Sequence, residues 1–200
     1  AGRAPVIAIT GTNGKSTTTA LIGHILKHNG FNAQVDGNIG KSVLELAPPA
    51  TDEKGARTIY VLEMSSFQID LAPGLVPDVG VLSNLTPDHI DRHGSMDNYA
   101  AIKERMVRHT ARNGHVVIGV DDEYTAAIFT RLSSNGGAAA APVSVGKVMG
   151  RGIFVVDGVL YDAKNGRAAK VMDMADAPHL PGAHNWQNAA LAYGAVKPFV

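Results

Sequence analysis

Val6-Ile7-Ala8-Ile9-Thr10-Gly11-Thr12-Asn13-Gly14-Lys15-Ser16-Thr17 is the stretch that decides the fold. Residues 6–10 form a short β-prone apolar run that ends at Gly11. Over residues 17–29, Leu21, Ile22, Ile25 and Leu26 recur at helical spacing, and Gly30 closes the run. A glycine-rich loop between a strand and a helix is suited to holding phosphate. The glycines let backbone N–H groups turn inward, and the helix N-terminus adds a favourable dipole. Thr12, Asn13 and Gly14 would line the loop, Lys15 would reach the terminal phosphates, and the hydroxyl of Ser16 or Thr17 would meet magnesium. The strict pattern G-x-x-x-x-G-K-[ST] is not met, because Ile9 stands where its first glycine would be. The competing reading is a turn that merely caps a helix, and the strand–loop–helix context favours phosphate.

Working outward, a short strand is expected at 32–35, and further β-branched apolar runs lie at 58–62, 79–82 and 115–120. Helical patterns lie between them, notably 97–112, where Tyr99, Ile102, Met106 and Val107 share a face. This alternation predicts an α/β domain with a doubly wound, mostly parallel sheet of the P-loop type. The last third changes character. Residues 152–156 and 159–161 flank Asp157-Gly158, and Asn165-Gly166 precedes 167–172, so two type I′ hairpins and a small antiparallel patch are expected. The small residues at 133–141 read as a loop. A final helix is expected from Asn185, weakening at Gly194 and Pro198.

Composition removes several classes. The 200 residues hold 18 Lys and Arg against 18 Asp and Glu, so a broad basic surface for nucleic acid is not expected. There is no cysteine, which rules out disulfides, thiolate metal sites and cysteine nucleophiles and suits a reducing, cytoplasmic setting. No apolar run approaches the ~18 residues of a membrane span, so no membrane partner is expected. A monomer is expected.

Three further positions carry chemistry. Glu63 ends the apolar run Ile59-Tyr60-Val61-Leu62, and ligands of open parallel sheets gather at such strand ends. There its carboxylate could hold magnesium, although a solvated glutamate is the plainer reading. A dense polar cluster, Ser83-Asn84-Leu85-Thr86-Pro87-Asp88-His89-Ile90-Asp91-Arg92-His93, follows the next strand, and Asp with His can ligate a metal or order a water. Lys103 lies four residues after Tyr99 and borders the buried face of its helix, where desolvation would lower its pKa. Spacing alone favours a lysine whose stem reaches out to solvent.

In this order and spacing, these elements resemble the Mur ligase family, ATP-dependent amide-forming enzymes of peptidoglycan synthesis. The resemblance runs from about Val6 to Ala192. It rests on Thr10 to Thr17, on Gly37-Asn38-Ile39-Gly40, on Asn84 to His93, and on His184-Asn185-Trp186-Gln187-Asn188-Ala189. Glu63-Met64-Ser65-Ser66-Phe67-Gln68-Ile69 is similar to the Ser-Ser-Phe-Gln-Leu stretch of the branch that adds D-glutamate to UDP-N-acetylmuramoyl-L-alanine. The resemblance implies Lys15, His89 and Lys103 as catalytic residues. It implies one magnesium on Ser16 or Thr17 with Glu63, and a second on His89 and Lys103. Tyr99-Ala100-Ala101-Ile102-Lys103 matches the pattern whose lysine is carbamylated in the family. Asn38, Ser65 and Gln68 would face the UDP-muramoyl substrate, and Asn185 and Asn188 the adenine of ATP. Residues 1–200 would be the central ATP-binding domain of a three-domain enzyme, and this piece by itself would bind Mg-ATP weakly and ligate nothing.

Rival readings are a folylpolyglutamate synthase-like ligase, a non-catalytic ATP-binding module and a GTPase. The D-x-x-G signature of the last occurs twice, at 52–55 and 91–94, and its N-K-x-D partner nowhere.

Overall fold

The computed structural model describes residues 3–37, 46–49, 57–110, 113–134 and 139–200. The strands are β1 (Val6–Thr10), β2 (Asn32–Gly37), β3 (Thr58–Glu63), β4 (Val79–Leu82), β5 (His115–Gly119), β6 (Ala139–Val145), β7 (Gly152–Val156), β8 (Val159–Lys164) and β9 (Arg167–Asp173). The helices are α1 (Lys15–His28), α2 (Ser66–Leu71), α3 (Ile90–His93), α4 (Met96–Arg108), α5 (Glu123–Ser134) and α6 (Ala183–Val196). Among the described residues the strands form one sheet, in the order β2-β3-β1-β4-β5-β6-β7-β8-β9. Pairing is parallel as far as β7 and antiparallel from there.

Alternation along each strand feeds two cores. Ile7 and Ile9 of β1 pack with Ile22 and Leu26 of α1 and Ala190 and Leu191 of α6. Ala8, between them, faces Tyr99, Met106 and Val107 of α4 and Ile128 of α5. The result is three layers, helix–sheet–helix. α1 contains Thr17-Thr18-Thr19, a β-branched run that weakens an isolated helix. Burying a side chain such as Ile22 or Leu26 contributes about 1.5–3 kcal/mol, more than that run costs, so packing on the sheet holds α1 in place.

β1 lies between β3 and β4, so the carboxyl ends of three neighbouring strands meet: Thr10, Glu63 and Leu82. The order turns back on itself here, as it does at the crevice where open α/β sheets bind ligands.

The hairpins form as expected. Asp157 and Gly158 have φ of 51° and 73°, and Asn165 and Gly166 have 54° and 76°, the left-handed pair that a type I′ turn requires. β7 to β9 are the expected antiparallel patch, and it joins the parallel sheet through the parallel pairing of β6 with β7. Three expectations are corrected. Of the residues 133–141 expected as a loop, Ser133 and Ser134 finish α5 and 139–141 open β6, an inner strand between β5 and β7, while 135–138 lie outside the described residues. Pro142 is tolerated there because pairing to β7 begins only at Val143. The helix expected at 97–112 is Met96–Arg108, with residues 111 and 112 outside the described set. Gly194 does not weaken α6. A Cβ there would stand 2.7 Å from Ile153 Cδ1 and 2.9 Å from Val117 Cγ1, so the glycine lets α6 lie close against the sheet.

Candidate functional site

The loop after β1 opens onto an uncapped helix start. Gly14 is the N-cap of α1 with φ of 78°, and no side chain caps the helix or places an acid in its first turn. Its first-turn amides and dipole therefore point outward uncompensated. Gly14 is also required sterically, since a Cβ would sit 2.1 Å from Asn188 Oδ1. Lys15 Nζ folds back onto Thr12 O at 2.8 Å, at the mouth of this cradle. Ser16 is exposed and Thr17 half-buried.

Two walls brace the loop. The corner after β4 supplies the first: Thr12 N–H donates to Asn84 O at 2.8 Å, and Ser83 Oγ to Asn13 O at 2.8 Å. Thr12 Oγ1 accepts from Thr86 N at 3.1 Å and meets Tyr99 OH at 3.2 Å. α6 supplies the second. Asn188 is buried, and its Oδ1 accepts from Thr18 Oγ1 at 3.3 Å while its amide reaches Asn185 Oδ1 at 3.4 Å. Asn185 donates to Pro181 O at 2.8 Å. Asn185 and Asn188 thus stand beside the loop as a pair, with Asn188 bearing directly on Gly14.

Lys103 is the largest departure from the spacing argument. It is only 2% exposed, so its stem does not reach solvent. Its Nζ donates to Gly11 O at 2.9 Å and Thr10 Oγ1 at 3.2 Å, and lies 4.8 Å from the centre of the Tyr99 ring. Burial and the neighbouring Lys15 lower its pKa from 10.5 to about 7, against the opposing pull of Asp88 and Glu63. The amine is thus largely neutral above neutrality. Burial also pushes the Tyr99 phenol up. Glu63, at the end of β3, is 2% exposed and so is not the solvated glutamate of the plainer reading.

The remaining candidates are less concentrated. His89 has a left-handed backbone (φ 51°), is about half exposed, and stands 3.6 Å from Asp88. Its ring meets Phe67 at 5.3 Å, and His93 bridges Phe67 and Tyr99 while sharing a 2.9 Å hydrogen bond with Ser66 Oγ. Ser65 and Gln68 form a capping box at the start of α2, with Gln68 N–H to Ser65 Oγ 3.2 Å and Ser65 N–H to Gln68 Oε1 2.9 Å. Their expected place beside a substrate therefore coincides with a structural duty. Asn38 and the 52–55 signature lie outside the described residues. Among the described residues no three His, Asp or Glu side chains cluster as a ready metal site.

Oxygen donors suit magnesium, and the hydroxyl of Ser16 or Thr17 with the Glu63 carboxylate supplies them. The Lys103 amine is a nitrogen donor turned towards Gly11 O, so it offers magnesium nothing without added oxygens. Thr10, Ser83, Asn84 and Gln187 lay within motifs quoted from the sequence but were given no role of their own, and Asp121 was not singled out. Their polar character was visible, but not their meeting across 66 to 103 positions.

The family described as Mur ligase middle domain matches residues 9–196. The chain belongs to the Mur ligase family. This Mur ligase domain is 48% identical over 192 residues to the UDP-N-acetylmuramoylalanine–D-glutamate ligase of Caulobacter sp. strain K31, covering 96% of the chain and 40% of that relative. It is 51% identical over 188 residues to the protein of the same name in Brucella abortus strain 2308, covering 94% and 38%. The chain thus spans about two fifths of the length of these relatives. Its fold matches a UDP-N-acetylmuramoyl-L-alanyl-D-glutamate–2,6-diaminopimelate ligase (TM-score 0.74, 22% identity, covering 98% of this chain and 44% of that one). It also matches the Thermotoga maritima MurF ligase solved with ADP (TM-score 0.63, 18% identity, 98% and 45%). No helix among the described residues is long and apolar enough to cross a membrane.

Proposed function

We propose that this chain is the central, nucleotide-binding domain of an ATP-dependent ligase that adds D-glutamate to UDP-N-acetylmuramoyl-L-alanine in peptidoglycan precursor synthesis, releasing ADP and phosphate. One observation carries the reading. Glu63 ends β3, Lys15 opens the uncapped α1, and Lys103 reaches Gly11 O from α4, where it feels the charge of the other two. The choice of substrates is supported by the relatives' names at 48–51% identity.

In this reading the acceptor carboxylate oxygen attacks the γ-phosphorus and the bond to ADP breaks. The amine of D-glutamate then attacks the acyl carbon, phosphate leaves, and the nitrogen loses a proton. Lys15 and the first-turn amides of α1 hold the phosphates in line and offset charge on the transferring group. Ser16 or Thr17 with Glu63 would hold one magnesium, and His89 with Lys103 a second; the ions supply charge neutralisation. For Lys103 this requires a carbamate, formed when its neutral amine adds to CO2 and loses a proton. Asn38, Ser65 and Gln68 would face the UDP-muramoyl substrate. The capping box uses Ser65 Oγ and Gln68 Oε1 as acceptors, leaving the Ser65 hydroxyl proton and the Gln68 Nε2 as donors. Asn185 and Asn188 would meet the adenine. A cytoplasmic monomer without nucleic-acid partners completes the proposal.

The test is phosphate release by the full-length protein given UDP-N-acetylmuramoyl-L-alanine, Mg-ATP and D-glutamate, with L-glutamate and a folate acceptor as comparisons. Turnover that requires D-glutamate and is lost in Lys15→Ala supports the reading. Turnover with the folate acceptor alone overturns it.

A further inference from the structure

The corner after β4 does more than contact the phosphate loop; it holds the two peptide units that flank one residue, Asn13. The Asn84 carboxamide grips Asn13 at both ends, with Oδ1 accepting from Asn13 N–H at 2.9 Å and Nδ2 donating to Asn13 O at 3.2 Å. The same Nδ2 donates to Gln187 Oε1 at 3.2 Å, and Gln187 Nε2 donates to Asp121 Oδ2 at 3.2 Å. Asp121 is held in turn: Oδ2 accepts from Val145 N–H at 2.9 Å and Oδ1 from Ser144 Oγ at 2.5 Å.

The direction of this chain is not arbitrary. A carboxamide can flip, exchanging its donor and acceptor ends, and only its partners choose between the two states. Asp121 Oδ2 faces a backbone N–H, so that point must be an acceptor. Gln187 must therefore present Nε2 to it and Oε1 to Asn84. Asn84 must then present Nδ2 to Gln187 and Oδ1 to the Asn13 amide. The polarity set at the end of β5 reaches the phosphate loop through α6 without a free choice at any step. Asn13 lies one residue before Gly14, where the chain turns left-handed to aim the first amides of α1. Space is kept for the relay too, because a Cβ on Gly119 would stand 2.1 Å from Ser83 O and 3.3 Å from Gln187 Nε2.

We infer that Asn84 is a positioning residue for nucleotide binding, oriented through Gln187 by Asp121, and that this relay presets the phosphate loop before ATP arrives. The inference rests on the proposed ATP reading of that loop. It adds a role for three residues that neither touch phosphate nor ligate metal in that reading.

Gln187→Glu and Gln187→Met, both close to glutamine in size, separate positioning from packing. Residue 187 is half-buried, and the charged group facing it is Asp121, itself exposed. Glutamate puts two carboxylates face to face at pH 8. At lower pH the pair shares a proton, and the protonated side chain again donates to Asp121. Methionine removes both hydrogen bonds at every pH. The readout is Mg-ATP affinity of the full-length protein relative to the unsubstituted protein at each pH, which cancels the titration of ATP itself.

The expected result is a loss of about three- to tenfold for Gln187→Glu at pH 8, the scale of one or two net hydrogen bonds. That loss should close as pH falls towards 5, while Gln187→Met shows a smaller loss that does not change with pH. Unaltered affinity for Gln187→Glu at pH 8, or a loss that persists unchanged to pH 5 with an intact thermal transition, overturns the inference and leaves the ATP reading standing. An unsubstituted protein that does not bind Mg-ATP removes both.

Discussion

Replacing Lys103 by methionine should change how stability depends on pH, by an amount the structure allows one to work out. The side chain is 2% exposed, and burial and Lys15 depress its pKa to about 7 from 10.5. In the unfolded chain the amine keeps its ordinary value, so between these two pH values the unfolded state binds more protons than the folded one. Stability therefore rises with pH across that window and is flat with respect to this group below it. With the folded value near 7, the slope is about 1 kcal/mol per pH unit at pH 7.5, and the gain between pH 7 and pH 9 is roughly 2 kcal/mol. Lys103→Met keeps most of the buried stem and deletes the titration. It also strips donors from Gly11 O and Thr10 Oγ1, which shifts its curve downward without tilting it. The assay is urea unfolding at half-unit steps from pH 6 to pH 9, in EDTA and under CO2-free gas, with the variant subtracted from the parent. The difference should climb by roughly 2 kcal/mol over the upper two units. Parallel curves would mean that the amine stays charged when buried, and the argument for its chemical availability would fail.

Other sites give sharper structural tests. Gly14→Ala combines a φ of 78° with a Cβ 2.1 Å from Asn188 Oδ1, so it should cost about 2 kcal/mol or more by thermal unfolding and also abolish Mg-ATP binding. Asp122→Ala removes acceptors from Thr125 N–H at 2.9 Å in the first turn of α5 and from Leu85 N–H at 3.1 Å; a loss of about 1–2 kcal/mol is expected by chemical denaturation. Ser65→Ala breaks the α2 capping box and should cost about 1 kcal/mol, whatever it does to substrate affinity. His115 is kept neutral by burial and by Lys197, which lower its pKa. The unfolded chain takes up that proton first, so stability should fall as pH drops below about 6.5, and His115→Gln should flatten that limb of the curve.

The fold was legible wherever local chemistry and tertiary demand agree. β1, β4 and β5 are Val- and Ile-rich, and the turns at Asp157-Gly158 and Asn165-Gly166 use the residues that left-handed φ values favour. β6 was not legible, because Ala139-Ala140-Ala141-Pro142 has little strand preference; it is extended because β5 and β7 pair with it from either side. That the glycine-rich loop, Glu63 and the His89 cluster each follow a strand could be read from the sequence. The burial of Lys103 could not, since helical spacing put it at the edge of a face and only the packing of α4 on β1 decides which way its amine turns. The relay from Asp121 to Asn84 was illegible for another reason: its members are ordinary polar residues on separate elements, and no periodicity joins them.

The central claim is that the loop from Gly11 to Thr17 binds the phosphates of ATP, and calorimetric titration of this chain with Mg-ATP, beside Lys15→Ala, tests it most directly. The account predicts saturable binding, weak in this domain alone, that falls at least about tenfold in the variant, as removal of a charge-assisted contact requires. Equal affinity for the two proteins, both folded, would contradict it.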